Sequence, residues 1–170
     1  MNNPDMLYHF TSSRHLPMIL EAGYLKLTES NYSFSRAGMY PVVWLVDAFH
    51  VDGLTNGLNT EQTLAIGQDK TEIRFSIPMQ PHFERWSSWS KYTRKMKQKD
   101  WDILVFAQNS GETHRSWWVS EKIIPLSEVA KIENTKTDEI YTASDKLPNL
   151  IKGVTDYNSV TNRSVFSLRG

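Results

Sequence analysis

The sequence has no cysteine, no net charge and no long apolar run. Without cysteine there is no disulfide, no thiolate nucleophile and no cysteine-ligated zinc site. Because 19 Lys and Arg balance 19 Asp and Glu, binding of nucleic acid by bulk electrostatics is not expected, although a local basic patch remains open. No apolar stretch approaches the roughly 18 residues of a membrane span, and residues 1–6 lack a signal-peptide core. We therefore expect a soluble, cytoplasmic protein.

The length of 170 residues fits one domain with a substantial buried core. Strand-like composition marks six short runs, which are residues 7–11, 41–46, 71–77, 101–106, 116–124 and 129–132. Helical patterns are fewer and do not alternate regularly with these runs, so we predict an α+β domain around a twisted, mostly antiparallel β-sheet with few helices. We expect residues 1–133 to form this domain and the polar residues 134–170 to pack on it as a C-terminal extension.

Two segments have helical patterns. After the first strand, Ser12 or Ser13 can cap the start of a helix. Pro17 then falls in the first turn, where its missing N–H is tolerated, and Gly23 suits a left-handed C-cap. A second helix is predicted over residues 83–96. Its basic and aromatic residues could bind single-stranded nucleic acid, although the solvated face of an amphipathic helix explains them more simply.

The segment from the first strand to the first helix carries the most specific motif. The aromatic–His pair Tyr8-His9 lies on a strand, and a Thr/Ser turn and a short helix ending at Gly23 follow it. The later runs 40–47 and 115–132 keep a compatible order. This arrangement resembles ADP-ribosyltransferase-like domains, including the poly-ADP-ribose polymerase and DNA-targeting toxin branches. The resemblance implies a split β-sheet and a site that binds NAD as a substrate. No metal site is expected, because His15 and His50 do not have metal-ligand spacing with any partner.

The resemblance also implies roles for residues of the first strand. It assigns His9 to the adenine-side ribose, with Tyr8 beside it, and Thr11 and Ser12 to the nicotinamide amide. The residues themselves support part of this, because a strand places His9 and Thr11 on one face. A serine turn at a helix N-terminus also offers donors to an anion. The alternative is that His9 is a hydrogen-bonded core histidine at the end of a strand.

An aromatic residue of the second motif stacks on the nicotinamide ring in the family that this chain resembles. Trp44 takes that role here by resemblance, or else Tyr40 does. Stacking of this kind contributes about 0.5–1.5 kcal/mol beyond burial. The alternative is that Trp44, which lies in an apolar run, belongs to the core.

The catalytic acid of the family is missing from its expected place. A Glu is expected before Trp117, where this chain has Ser116. We therefore assign Ser116 to the nucleotide-binding residues and predict Glu121 as the substitute acid, with Glu112 as the other candidate. Strand alternation places Glu121 on the face of Trp117. The alternative for Glu121 is a solvated carboxylate at the end of a strand.

Three functions remain open from the sequence. The first is an ADP-ribosyltransferase that transfers ADP-ribose from NAD to a protein or nucleic-acid acceptor. The second is a nucleotide-binding module without turnover, such as an inhibitor or sensor in bacterial or phage conflict systems, which the missing Glu favours. The third is a two-histidine phosphoesterase for cyclic or 2′,5′-linked nucleotides, because His9 and His114 each precede a hydroxyl residue by two positions, Thr11 and Ser116.

Overall fold

The computed structural model describes residues 3–27, 41–55, 58–92 and 113–142, without the side chains of residues 90–92, 113 and 114. Its strands are β1 (Met6–Thr11), β2 (Tyr24–Leu25), β3 (Val43–Val46), β4 (Ile73–Pro78), β5 (Glu84–Arg85), β6 (Trp117–Ser120), β7 (Ile124–Pro125), β8 (Lys131–Asn134) and β9 (Ile140–Tyr141). Its helices are α1 (Leu16–Ala22), α2 (Glu61–Ala65) and α3 (Trp86–Tyr92), with 3₁₀ turns at Thr113–Ser116 and Leu126–Glu128.

Most of the strands form one sheet of seven, in the order β5-β6-β3-β1-β4-β8-β9, while β2 and β7 pair separately. All pairings between described strands are antiparallel. β1 lies at the centre, where Tyr8 pairs with Val46 of β3 and Thr11 pairs with Ile73 of β4. The predicted α+β architecture, with a mostly antiparallel sheet and few helices, is confirmed.

Apolar side chains cover both faces of this sheet. The first group, which we name the Leu7 cluster, includes Leu7, Leu16, Leu20, Val43, Leu45, Ile73, Phe75, Ile77, Trp118 and Ile132. The second, the Trp86 cluster, contains Phe10, Val42, Val46, Trp86, Trp89, Trp117 and Val119, with Tyr8 and Trp44 packed against it. Successive side chains of a strand point to opposite faces. Burial on both faces therefore explains why β3 and β6 read as continuous apolar runs.

The ends of α1 agree only in part with the sequence prediction. Gly23 adopts the left-handed conformation (φ 78°), and its N–H donates to the carbonyl of Ile19. The predicted C-cap is therefore confirmed. The predicted Ser12 or Ser13 cap is wrong, because His15 occupies the N-cap position and no side chain caps the helix.

Several other predicted elements can be compared with the structure. α3 lies within the predicted helix 83–96 but begins only at Trp86, after the short strand β5. In the C-terminal extension, β9 pairs with β8, so the part up to residue 142 continues the sheet. The predicted strand 101–106 and residues 143–170 lie outside the described residues. Among the helices that are described, none is long and apolar enough to cross a membrane.

Candidate functional site

His9 is fixed by a hydrogen bond to the neighbouring strand. Its Nδ1 lies 2.9 Å from the carbonyl oxygen of Trp44. Because a carbonyl oxygen only accepts, Nδ1 carries the proton, and the neutral ring presents its lone pair on Nε2. Burial is the main cause that lowers the pKa of His9, against the bond to Trp44, which raises it, and His15 lowers it further. His9 is therefore neutral at pH 7, with Nε2 as a hydrogen-bond acceptor.

Thr11 and Ser12 lie beside His9 and converge on a second histidine. The Nδ1 of His15 is 3.1 Å from Thr11 Oγ1 and 3.3 Å from Ser12 Oγ. Both hydroxyl residues are buried, with exposed fractions of 6% and 0%, whereas His15 is half-buried. Because the buried groups hold one ring nitrogen, they set the orientation of the imidazole at the surface. The hydroxyls of Thr11 and Ser12 are therefore both engaged with His15.

The turn before α1 already holds a carboxylate of the chain itself. The N–H of Ser13 donates to Oε2 of Glu72 at 3.0 Å. Arg14 in the same turn donates from Nη2 to the carbonyl of Ile66, also at 3.0 Å. The N–H of Ser13, one of the backbone donors that the sequence suggested for an external anion, is thus satisfied within the protein.

Trp44 and Tyr8 lie on the face of the sheet opposite to His9. The ring of Trp44 contacts Trp117 at 5.4 Å and Trp86 at 6.3 Å between centroids, within the Trp86 cluster. His9, in contrast, meets Phe75 of the Leu7 cluster at 5.9 Å. The structure therefore brings the backbone carbonyl of Trp44 to His9, and it does not bring the indole ring there.

Glu121 lies at the same end of the sheet as Thr11 but on the Trp86 face. Ser120 at the end of β6 pairs with Val43 at the start of β3. Because β3 and β1 are antiparallel, the start of β3 lies beside the end of β1. The Oε1 of Glu121 accepts a hydrogen bond of 2.8 Å from the indole Nε1 of Trp89, a member of the Trp86 cluster. Alternation thus places Glu121 where the sequence predicted, and a partner from α3 holds its carboxylate.

Ser116 lies at the other end of the sheet. Its carbonyl accepts from the N–H of Asp47, directly after β3. Asp47 in turn accepts from Nε1 of Trp118 at 3.1 Å. The structure therefore does not bring Ser116 to the end of β1 that holds Thr11. The backbone of His114 belongs to the turn Thr113–Ser116, while its side chain and the whole of Glu112 lie outside the described residues.

Three residues that surround this end of β1 were missed in the sequence. His15 was not among the predicted binding residues, although its spacing of three and four residues from Ser12 and Thr11 could have indicated the contact. Lys70 and Lys26 come from distant segments, and no local pattern identifies them. In the part of the chain that the structure describes, no three His, Asp or Glu side chains are grouped so that they could hold a metal ion.

Comparisons with protein-family models, with curated proteins and with solved structures found no match.

Proposed function

We propose that this chain is an ADP-ribosyltransferase-like domain that binds NAD or an ADP-ribose-type nucleotide at the end of β1, without transferring ADP-ribose. The observation that carries the proposal is the fixed, neutral state of His9. A neutral imidazole whose Nδ1–H is committed to the Trp44 carbonyl offers Nε2 as an acceptor to a ribose hydroxyl. This is the role that the sequence resemblance assigns to His9.

The local structure around His9 supports the same proposal. The strand β1, the helix α1 and the left-handed Gly23 follow one another as the resemblance expects. The basic residues near His15, which are Lys70, Lys26 and Arg14, place positive charge at this end of the sheet, which suits the diphosphate of such a nucleotide.

Binding without transfer is supported by the position of the one candidate acid that is described. Transfer needs a carboxylate at the nicotinamide-side ribose, where it stabilises the positive charge that develops in the transition state. Glu121 accepts a hydrogen bond from Trp89 on the opposite face from His9. A nucleotide on the His9 face would therefore lie away from this carboxylate.

Calorimetric titration with ADP-ribose and with NAD tests the proposal. We expect saturable binding of both, weakened about tenfold or more in His9→Ala, because a buried hydrogen bond contributes on the order of 1.5 kcal/mol. His50→Ala is the matched control, since His50 is exposed in the loop after β3. Absence of binding would overturn the proposal.

Product analysis separates the competing functions. Incubation with NAD should release no nicotinamide, whereas release that is lost in Glu121→Gln would show that the protein is a transferase. Cleavage of cyclic or 2′,5′-linked nucleotides that requires both His9 and His114 would establish the phosphoesterase instead.

A further inference from the structure

Basic side chains lie near His15. The ribose contact proposed for His9 gives them no role. The pKa of His15 is lowered first by burial and then by the positive charges of Lys70, Lys26 and Arg14. Three cations are therefore close enough to act on one half-buried imidazole. Arg14 already donates to the carbonyl of Ile66, so the two lysines are the cations considered as ligands for an anion.

Lys70 is brought to His15 by the packing of the segment before β4. Glu72 binds the N–H of Ser13, and Thr11 pairs with Ile73, so residues 70–73 run beside the end of β1. The backbone N–H of Lys70 is anchored 2.8 Å from Oδ1 of Asn59. The segment that carries the lysine is therefore fixed at both ends.

Within the part of the chain that the structure describes, no carboxylate forms an ion pair with Lys70. Its side chain is half-buried, and burial lowers its pKa. The ion pairs among the described residues involve Arg74, Arg85, Lys131 and Lys136, and none includes Lys70 or Lys26. Burying a cation without a counter-charge costs free energy. An anion bound beside Lys70 would offset that cost.

We propose that His15, Lys70 and Lys26 form a binding site for a phosphate group, which the diphosphate of the bound nucleotide supplies. The identity of that nucleotide rests on the proposed function, whereas the basic cluster does not. Thr11 and Ser12 hold Nδ1 of His15, so Nε2 and the lysine ammonium groups are the donors to phosphate oxygens. Charge-assisted hydrogen bonds of this kind are about twice as strong as neutral ones.

The site should bind more tightly as the pH falls. His15 donates to a phosphate from Nε2 and adds a charge when it is protonated, and a bound phosphate in turn favours that protonation. The charged and titratable groups that act on it are Lys70, Lys26, Arg14 and His9, with Glu72 close by on Ser13. In the free protein, burial and then these cations lower the pKa of His15. A bound phosphate anion would raise the pKa of His15 again.

Calorimetric titration with inorganic pyrophosphate between pH 5.5 and 8 tests the site. We expect Lys70→Gln to weaken pyrophosphate binding about tenfold at every pH. His15→Gln should remove the additional affinity for pyrophosphate that the wild type gains at low pH. Protonation of pyrophosphate itself affects all variants equally, so the difference in pH dependence between this variant and the wild type reports on His15.

Lys131→Gln is the matched control, since Lys131 already pairs with Glu133. Lys26→Gln, at an exposed position, gives a second variant with little risk to folding.

The outcomes separate this site from the proposed function. Pyrophosphate binding that depends on Lys70 or Lys26, without any binding of NAD or ADP-ribose, would support the phosphate site. It would also overturn the proposed function, which is binding of NAD or an ADP-ribose-type nucleotide. NAD binding that depends on His9 but not on either lysine, with no pyrophosphate binding, would overturn the phosphate site alone. Pyrophosphate binding that is equal in all variants would also overturn it.

Discussion

The indole Nε1 of Trp89 donates a hydrogen bond of 2.8 Å to Oε1 of Glu121, across 32 residues of sequence. Trp89 is almost fully buried, with 1% of its surface exposed. The contact therefore joins α3 to the end of β6. It gives Glu121 a structural role that does not depend on any ligand.

Glu121→Ala should destabilise the fold. Removing the acceptor of a buried donor costs about 1–3 kcal/mol, whereas Glu121→Gln keeps an oxygen at the same place and should cost less. Urea unfolding followed by tryptophan fluorescence measures both variants. An unchanged midpoint for Glu121→Ala would contradict this role.

Arg74 and Glu133 form a buried ion pair between β4 and β8. Nε and Nη2 of Arg74 donate to Oε1 of Glu133 at 3.0 and 2.9 Å, and Nη1 donates to the carbonyl of Phe49 at 2.6 Å. Arg74→Met removes these donors but leaves Glu133 paired with Lys131, so we expect a loss of about 1–3 kcal/mol. Thermal or urea unfolding measures the loss, and the double variant with Glu133→Leu should recover part of it. A loss below about 1 kcal/mol would place the pair among weak surface bridges.

Asp69 should make stability depend on acid pH. Burial of its carboxyl opposes ionisation, but hydrogen bonds from Thr71 and Asn59 and the charge of Lys136 together lower its pKa from 3.8 to about 2. A carboxyl whose pKa is lower in the folded protein stabilises it above the unfolded value and loses this effect as the pH falls through the folded value. The contribution is thus present above about pH 4 and is lost towards pH 2.

Comparison of the wild type with Asp69→Asn isolates this effect. Urea unfolding between pH 7 and pH 2 should show a steeper loss of stability in the wild type, because the variant lacks the titrating group. Parallel curves for the two proteins would show that Asp69 does not contribute to the acid dependence.

The tautomer of His9 is directly observable. We expect a protonated Nδ1 and an unprotonated Nε2 at pH 7, since Nδ1 donates to the Trp44 carbonyl. Because burial lowers the pKa of His9, it should become protonated at a lower pH than an ordinary histidine, and this protonation should destabilise the fold as the pH falls. Side-chain ¹⁵N NMR spectra recorded during a pH titration check both points. A protonated Nε2 at neutral pH would remove the acceptor that the ribose contact needs.

The sequence predicted the elements better than it predicted their contacts. Period-two alternation identified β4, and Gly23 marked the end of α1, because both features are local. The predicted cap of α1 was wrong because His15 occupies the N-cap position, and the N–H of Ser13 binds Glu72, 59 residues away. Local patterns carry no information about such a partner.

The same limit applies to the candidate site. Alternation predicted the face of Glu121 correctly, but the Trp89 contact depends on how α3 packs on the sheet. Trp44 lies on the opposite face from His9, which two separate strand patterns could not reveal without their register. The pairing of β1 with β4 places the segment that carries Lys70 beside the turn that carries His15.

Titration of the protein with ADP-ribose, observed through the ¹⁵N resonances of its histidine side chains, tests the nucleotide site most directly. We expect the Nε2 resonance of His9 to shift progressively to saturation, while the resonances of His50 in the exposed loop stay unchanged. Saturable binding of ADP-ribose with the His9 resonances unmoved, or no binding at millimolar ADP-ribose, would contradict it.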